Sequence, residues 1–349
     1  MDTKMILPLS DESPITYDLR LAIPLMAALS YEEIKQDVWK WIYIYYLQIV
    51  CKNKLDKNTP YNKFHIYDPY NPFIKRRFEL HIAKKWSKHK NIIGYIINNI
   101  ETGYYTHIKL DRFYMPGFTG FGETHIMHTE CVYGYDLSSQ DFYIIGFTNF
   151  SGSNLKRTRI SFNNFLKAFN SFLAYNTYFT ITRDKVLTDA HYTFDCELLR
   201  KQFMRYLYSK RSIAFFVRTN IKKQTVFAWD FPTHSCYGLE TLRLLINYIE
   251  SEYNSIKVNC PILIMLHALY EFMKLMSLRL NYLSDQKLLR RKISEEYMQH
   301  YTQYLIIRNL YIKYEITGNK ELLYRINSKL RKCIDFEKEI IQLVVEELY

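Results

Sequence analysis

The sequence predicts an α+β protein, and three observations carry that expectation. Between about residues 91 and 183, short β-branched and aromatic runs alternate with Gly, Asn, Asp and Ser turns, the texture of an antiparallel sheet. The segments on either side show apolar residues at helical spacing. No repeat of fixed period and no low-complexity linker interrupts the chain, so the order is helices, sheet, then helices.

Taken in order, DLRLAIPLMAALSY (Asp18 to Tyr31) reads as a helix interrupted at Pro24, and EEIKQDVWKWIYIYYLQIVCK (Glu32 to Lys52) as a buried aromatic helix. A loop rich in Asn, Asp and Pro follows, and Ile74 to His89 reads as a basic helix. NIIGYII, YYTHIKL, HTECVYGYD, DFYIIGF and KRTRIS are the expected strands, with the loop FYMPGFTGFGE crossing their face. Ser161 to Tyr175 has a serine N-cap and phenylalanines at helical spacing, and YFTITR returns as a strand. Helices are expected at Asp195 to Ser209, Tyr237 to Tyr253, Pro261 to Leu283, Gln286 to Thr317 and Lys320 to Leu348. The division expected is an α+β domain over 1–183 and a mainly helical extension over 184–349, with a β-hairpin at 212–231.

Composition narrows the class. A chain of 349 residues, 48% hydrophobic and 23% charged, is that of a folded globular protein. No apolar run reaches the roughly 18 residues of a membrane span. The start MDTKMILPLSDESP has no apolar core, so the expectation is a cytoplasmic protein. Six cysteines without CxxC spacing read as free thiols in a reducing compartment. The net charge of +12 attracts anionic partners, nucleic acid or acidic proteins among them. The 32 tyrosines could stack on bases, but Tyr, Ile, Lys and Asn all have AT-rich codons, and no RNP-like strand or helix-turn-helix pattern supports nucleic acid.

The chemistry concentrates in THIMHTECVYGYD, where His125 and His128 stand at the mouth of a strand. Residues three apart on a strand face opposite ways, and no third ligand sits at supporting spacing, so no metal and no cofactor is expected. Cys131 cannot pair with His128 within one strand for the same reason and reads as a buried residue. No phosphate loop, GxGxxG or GxSxG motif is present. What stays open is a papain-like arrangement, with a histidine opening a strand, an orienting residue on the next strand and a nucleophile at a distant helix start.

His128 followed by Gly134 in HTECVYGYD resembles the histidine strand of papain-like bacteriocin-processing peptidases. The fuller string HIMHTECVYGYDLSSQDFYIIGF is similar to the N-terminal domain of the butirosin biosynthesis protein H family. ILPLSDESPITYDLRLAIPLMAAL, IKLDRFYMPG, YGLETLRLLINYI and FMKLMSLRLNYL are similar to the same family. The resemblance implies a papain-like fold and transfer or cleavage of an acyl, aminoacyl or peptidyl group carried as a thioester on a carrier protein. It also implies phosphopantetheine-linked substrate and a role in bacterial peptide natural-product assembly. Separately, a homo-oligomer is among the expected partners. It assigns His128 as the base. The orienting residue should end DFYIIGF, where Gly146 stands and Asn149 follows; the early nucleophile should be a cysteine, but none precedes Cys51, leaving Ser13. The substrate cleft is assigned to His125, Tyr133, Asp111 and Tyr114. The alternative is a catalytically degenerate binding or scaffold protein on the same fold.

Overall fold

The computed structural model describes residues 3–52, 64–66, 71–83, 86, 91–148, 155–210, 235–256 and 261–349. The chain forms two compact units, Met1–Val38 with Asn71–His191, and Trp39–Tyr70 with Tyr192–Tyr349. The expected single cut after residue 183 is therefore replaced by three. The physical reason is pairing across the chain: Ile49–Lys52 (β2) pairs with Phe64–Ile66 (β3) and with the late strand Ser235–Tyr237 (β10). The hairpin expected at 212–231 lies outside the described residues.

The first unit is built on an antiparallel seven-stranded sheet. Its members are Lys4–Ile6 (β1), Ile74–Ile82 (β4), Tyr105–Asp111 (β5), Met127–Asp136 (β6), Asp141–Phe147 (β7), Leu155–Ser161 (β8) and Tyr178–Val186 (β9). The strand order is β4-β9-β5-β6-β7-β8, with β1 on β6. β4 corrects the expected basic helix at 74–89. Its residues alternate, with Ile74, Arg76, Phe78, Leu80 and Ile82 on one face, and nine of them pair with β9. NIIGYII is likewise not a strand but the start of a helix, Ile92–Glu101 (α3). The side chain of Asn91 caps it by accepting the Gly94 N–H at 3.1 Å, and Ile92, Ile96, Ile97 and Ile100 supply a buried stripe.

Leu19–Ala28 (α1) keeps Pro24 inside it. Proline lacks the N–H that would bond the Arg20 carbonyl, and Arg76 Nη2 donates to that carbonyl at 3.3 Å instead. Phe162–Ala174 (α4) begins where the sequence predicted, with Ser161 Oγ accepting from the Asn164 N–H at 3.2 Å. Its buried face carries Phe165, Ala168, Phe169, Phe172 and Leu173; Phe165 meets Phe142 of β7, and Phe169 and Phe172 meet Phe179 of β9. Burying each such phenylalanine contributes about 1.5–3 kcal/mol. Helix α4 lies against the face of the sheet that also carries His128 and Glu130.

The expected helix over 32–52 ends early, as Glu32–Tyr45 (α2), because Ile49–Lys52 enters β2. Cys51 therefore lies buried in a strand, not at a helix end. The rest of the second unit is helical: Cys196–Leu207 (α5), Leu239–Tyr253 (α6), Ile262–Asp285 (α7), Arg291–Thr317 (α8) and Glu321–Glu347 (α9). Fully buried Arg279 of α7 donates to the carbonyls of Tyr43 and Tyr46 past the end of α2's hydrogen-bond ladder. At the centre, Glu337 accepts a 2.5 Å hydrogen bond from Tyr297, and burial pushes its carboxyl up to about 8. No described helix is long and apolar enough to cross a membrane.

Candidate acid–base site

Strand alternation places His128, Glu130 and Val132 on one face of β6 and Cys131, with its cross-strand partner His107, on the other. After β5, Asp111 caps a single 3₁₀ turn, Arg112–Tyr114, by accepting the Phe113 N–H at 3.1 Å. That turn brings Arg112 beneath the mouth of β6 and Phe113 beside His125. The loop from Met115 returns to β6 at Ile126, whose N–H also bonds Asp111, at 3.2 Å.

Two histidine–carboxylate pairs result. Nδ1 of His125 lies 2.5 Å from Asp111 Oδ2, and Ser171 Oγ of α4 donates to the same oxygen at 2.6 Å. Asp111 is fully buried, whereas the His125 side chain is 46% exposed. Burial pushes the Asp111 carboxyl up, but its hydrogen bonds from Ser171, His125 and the Phe113 N–H outweigh this and hold it below the ordinary carboxylate value. The His125 ring stacks on Phe113 with centroids 4.4 Å apart, and Tyr114 and the exposed Tyr175 flank it at 6.2 and 6.3 Å.

In the second pair, Nδ1 of His128 lies 2.9 Å from Glu130 Oε1 and 3.0 Å from Arg112 Nη2. Arg112 and Glu130 form a buried ion pair, with Nε and Nη2 at 2.8 and 2.7 Å from the same carboxylate oxygen. The His128 side chain is 37% exposed above them.

Gly146 explains how the carboxylate fits. A Cβ at that position would stand 1.7 Å from Glu130 Oε2. The family resemblance expects an orienting group on this neighbouring strand; here the strand offers empty space, and Glu130 fills it from the histidine's own strand. Gly134 has a different role. A Cβ there would meet the Met5 carbonyl at 2.9 Å, so its absence lets β1 pair closely with β6 at a bulge between Val132 and Gly134.

Of the residues singled out from sequence, His125, His128, Asp111 and Tyr114 come together at this end of the sheet. Asn149 lies outside the described residues. Ser13 is engaged locally: its Oγ donates to the Ile15 carbonyl at 2.7 Å, and no hydrogen bond joins it to His128. Tyr133 is turned to the opposite face, beside Tyr143 at 6.3 Å and close to Cys131, because residues 128 and 133 differ by an odd number of strand positions. Cys131 is itself fully buried, and burial pushes its thiol well above the ordinary value. Glu130, Arg112 and Ser171 escaped the sequence reading. Alternation alone could have found Glu130, two positions from His128; Arg112 and Ser171 required the register and the packing of α4.

Among the described residues, no group of three His, Cys, Asp or Glu side chains is arranged to hold a metal. The arrangement is suited to proton transfer: two exposed imidazoles, each with Nδ1 against buried charged groups. No protein-family model matches the chain, and no curated protein is similar to it.

Proposed function

We propose that this protein transfers an acyl, aminoacyl or peptidyl group from a carrier-protein thioester to an acceptor, with His125 and His128 handling the proton and the acceptor itself supplying the nucleophile. The observation that carries the reading is the pair of histidines at one strand mouth, each with Nδ1 against a buried carboxylate, and with no cysteine or serine among the described residues hydrogen-bonded to either. A bound amine attacking a thioester carbonyl needs a base and a donor to the developing oxyanion, not a protein nucleophile. The papain-like assignment, the cytosolic setting in peptide natural-product assembly and the acidic carrier with its phosphopantetheine arm belong to the same proposal. Its support is the resemblance of the HTECVYGYD strand, together with the net charge of +12 that suits an acidic partner.

The test is intact-mass spectrometry of acyl-loaded carriers incubated with the full chain and a panel of amines. Discharge of the carrier with formation of the amide, and its loss in His125→Gln, is the expected result. A carrier that stays loaded with every amine overturns it.

A second reading is a binding or scaffold protein that keeps the fold without the chemistry. The internal engagement of Ser13 and the sealed thiol of Cys131 favour it. It predicts a stable complex with the carrier and no turnover.

A further inference from the structure

The two histidines differ in what their Nδ1 atoms face. His125 Nδ1 faces Asp111, whose carboxylate is held ionised and can only accept, so Nδ1 carries the hydrogen and donates it. In the neutral ring this leaves Nε2 as an unprotonated lone pair on the exposed side. His128 Nδ1 faces Arg112 Nη2 at 3.0 Å as well as Glu130. A guanidinium has donors only and keeps its proton. One Nη2 hydrogen serves Glu130 at 2.7 Å, and the second is free to point at the imidazole. Glu130 Oε1 already receives two N–H groups from Arg112. An Nδ1–H on His128 would set hydrogen against hydrogen at Arg112 Nη2, whereas a bare Nδ1 and Glu130 Oε1, 2.9 Å apart, do not bond each other and are bridged by the donors of the guanidinium between them.

We infer that the two histidines divide the proton work, His125 presenting a bare Nε2 as the base and His128 presenting an Nε2–H as the donor. This reverses the role that the family resemblance gives His128, and its catalytic part rests on the acyl-transfer reading above. The two residues lie three positions apart, so their Cα atoms are within about 11 Å. The same turn holds both, Arg112 under His128 and Phe113 against His125.

The step balances without a protein nucleophile. The acceptor amine nitrogen bonds to the thioester carbonyl carbon, its proton passes to His125 Nε2, and the carbonyl electron pair moves onto oxygen. That oxyanion accepts a hydrogen bond from His128 Nε2–H. Collapse re-forms the carbonyl, breaks the carbon–sulfur bond, and the departing thiolate takes the proton from His125. Phe113, Tyr114 and Tyr175 give the site an aromatic flank beside His125, which makes an apolar or aromatic acyl group the one to test.

The deciding measurement is two-bond ¹H–¹⁵N correlation NMR of the full chain with ¹⁵N-labelled histidine, assigned by comparison with His125→Gln and His128→Gln. An Nδ1–H tautomer at His125 with an Nε2–H tautomer at His128 is expected; an Nδ1–H tautomer at His128 overturns the division. Kinetics test the catalytic part, using the phenylacetyl thioester of N-acetylcysteamine with glycinamide as acceptor. A glutamine amide can donate from the Nε2 position but cannot take up a proton, so His128→Gln keeps the rate within about 10-fold, while His125→Gln loses about 10²–10⁴-fold. Equal losses in the two variants overturn the division. The expected tautomers in a wild-type chain that leaves the thioester untouched sustain the division and overturn the acyl-transfer reading instead.

Discussion

Gly146→Ala tests the geometry of the site more directly than any change to the histidines. The added Cβ would lie 1.7 Å from Glu130 Oε2, 2.8 Å from its Cδ and 3.1 Å from a Phe118 ring carbon. An ordinary contact needs about 3.4 Å or more, so the carboxylate must move by well over an ångström. Glu130 is fully buried and Arg112 is 1% exposed, so moving the carboxylate strips the guanidinium of its partner where water cannot replace it. Breaking a buried pair in this way costs about 3–5 kcal/mol. Glu130→Ala should cost a similar amount, since it leaves the same charge uncompensated. With the glutamate gone, however, the Cβ at 146 enters vacated space. The double variant should therefore be little worse than Glu130→Ala alone, a coupling between the two positions nearly as large as the Gly146→Ala cost itself, about 3–5 kcal/mol. Native-state hydrogen exchange of the β6 and β7 amides reads the cycle locally. Additive losses would show that Gly146 and Glu130 do not compete for one space, and the account of the missing orienting residue would fall.

Other perturbations reach different parts of the molecule. Glu337 is pushed up to about 8 from 4.5, so from about pH 4.5 to about pH 8 the unfolded chain has released a proton that the folded chain keeps, and stability falls as pH rises through that window. The full loss is of order 5 kcal/mol, and Glu337→Gln should flatten it; equal slopes in urea titrations of the two proteins between pH 5 and 8 would refute the assignment. Asp111→Asn removes the acceptor that fixes the His125 tautomer and should lower thioester turnover by about 10²–10⁴-fold, with the His125 ¹⁵N pattern changed; a normal rate would remove His125 from the chemistry. Ser13→Ala should leave turnover unchanged, because its hydroxyl serves the Ile15 carbonyl; a large loss would restore Ser13 as the nucleophile.

What the sequence made legible follows from which forces act locally. The Ser161 cap and the phenylalanine spacing after it act within one helix, so α4 could be read directly. The strands β5, β6 and β7 carry dense β-branched and aromatic character and were legible as well. Ile74 to Ile82 was not, because its Lys-Arg-Arg run resembles a solvated helix face, while its period-two alternation becomes decisive only once β9 pairs along it. Ile92 to Ile100 failed the other way: isoleucines favour strands in isolation, and the Asn91 cap and packing on the sheet overrode that preference. The site divides similarly. His125 and His128 announced themselves, but the groups that give each a distinct role come from the turn after β5 and from α4, joined only by register.

Burial, more than residue type, separates the site from a second cluster of nearly the same composition. On the opposite sheet face His107 Nε2 lies 3.1 Å from Asp184, which Arg76 also holds through two bonds of 2.8 Å, and Cys131 stands in register with His107. By side-chain type this is a thiol, an imidazole and a carboxylate, the set a cysteine hydrolase uses. Yet His107 is 5% exposed, and both Cys131 and Asp184 are fully buried. Burial raises the Cys131 thiol, and neighbouring Asp184 and Glu130 raise it further, so the thiolate a nucleophile needs is disfavoured. Burial also opposes the Asp184 charge, but Arg76 and His107 more than offset it, and the carboxylate stays ionised as the centre of a fixed polar network. Such a network holds β4, β5 and β9 in register and offers no open face to a substrate. At the mouth of β6 the order is reversed: the carboxylates are sealed and the imidazoles are open. A buried acid orients, and an exposed base can exchange its proton with what binds. That inversion of burial is what favours the two histidines at the mouth of β6, and not the cysteine in the sheet's interior, as the groups open to a ligand.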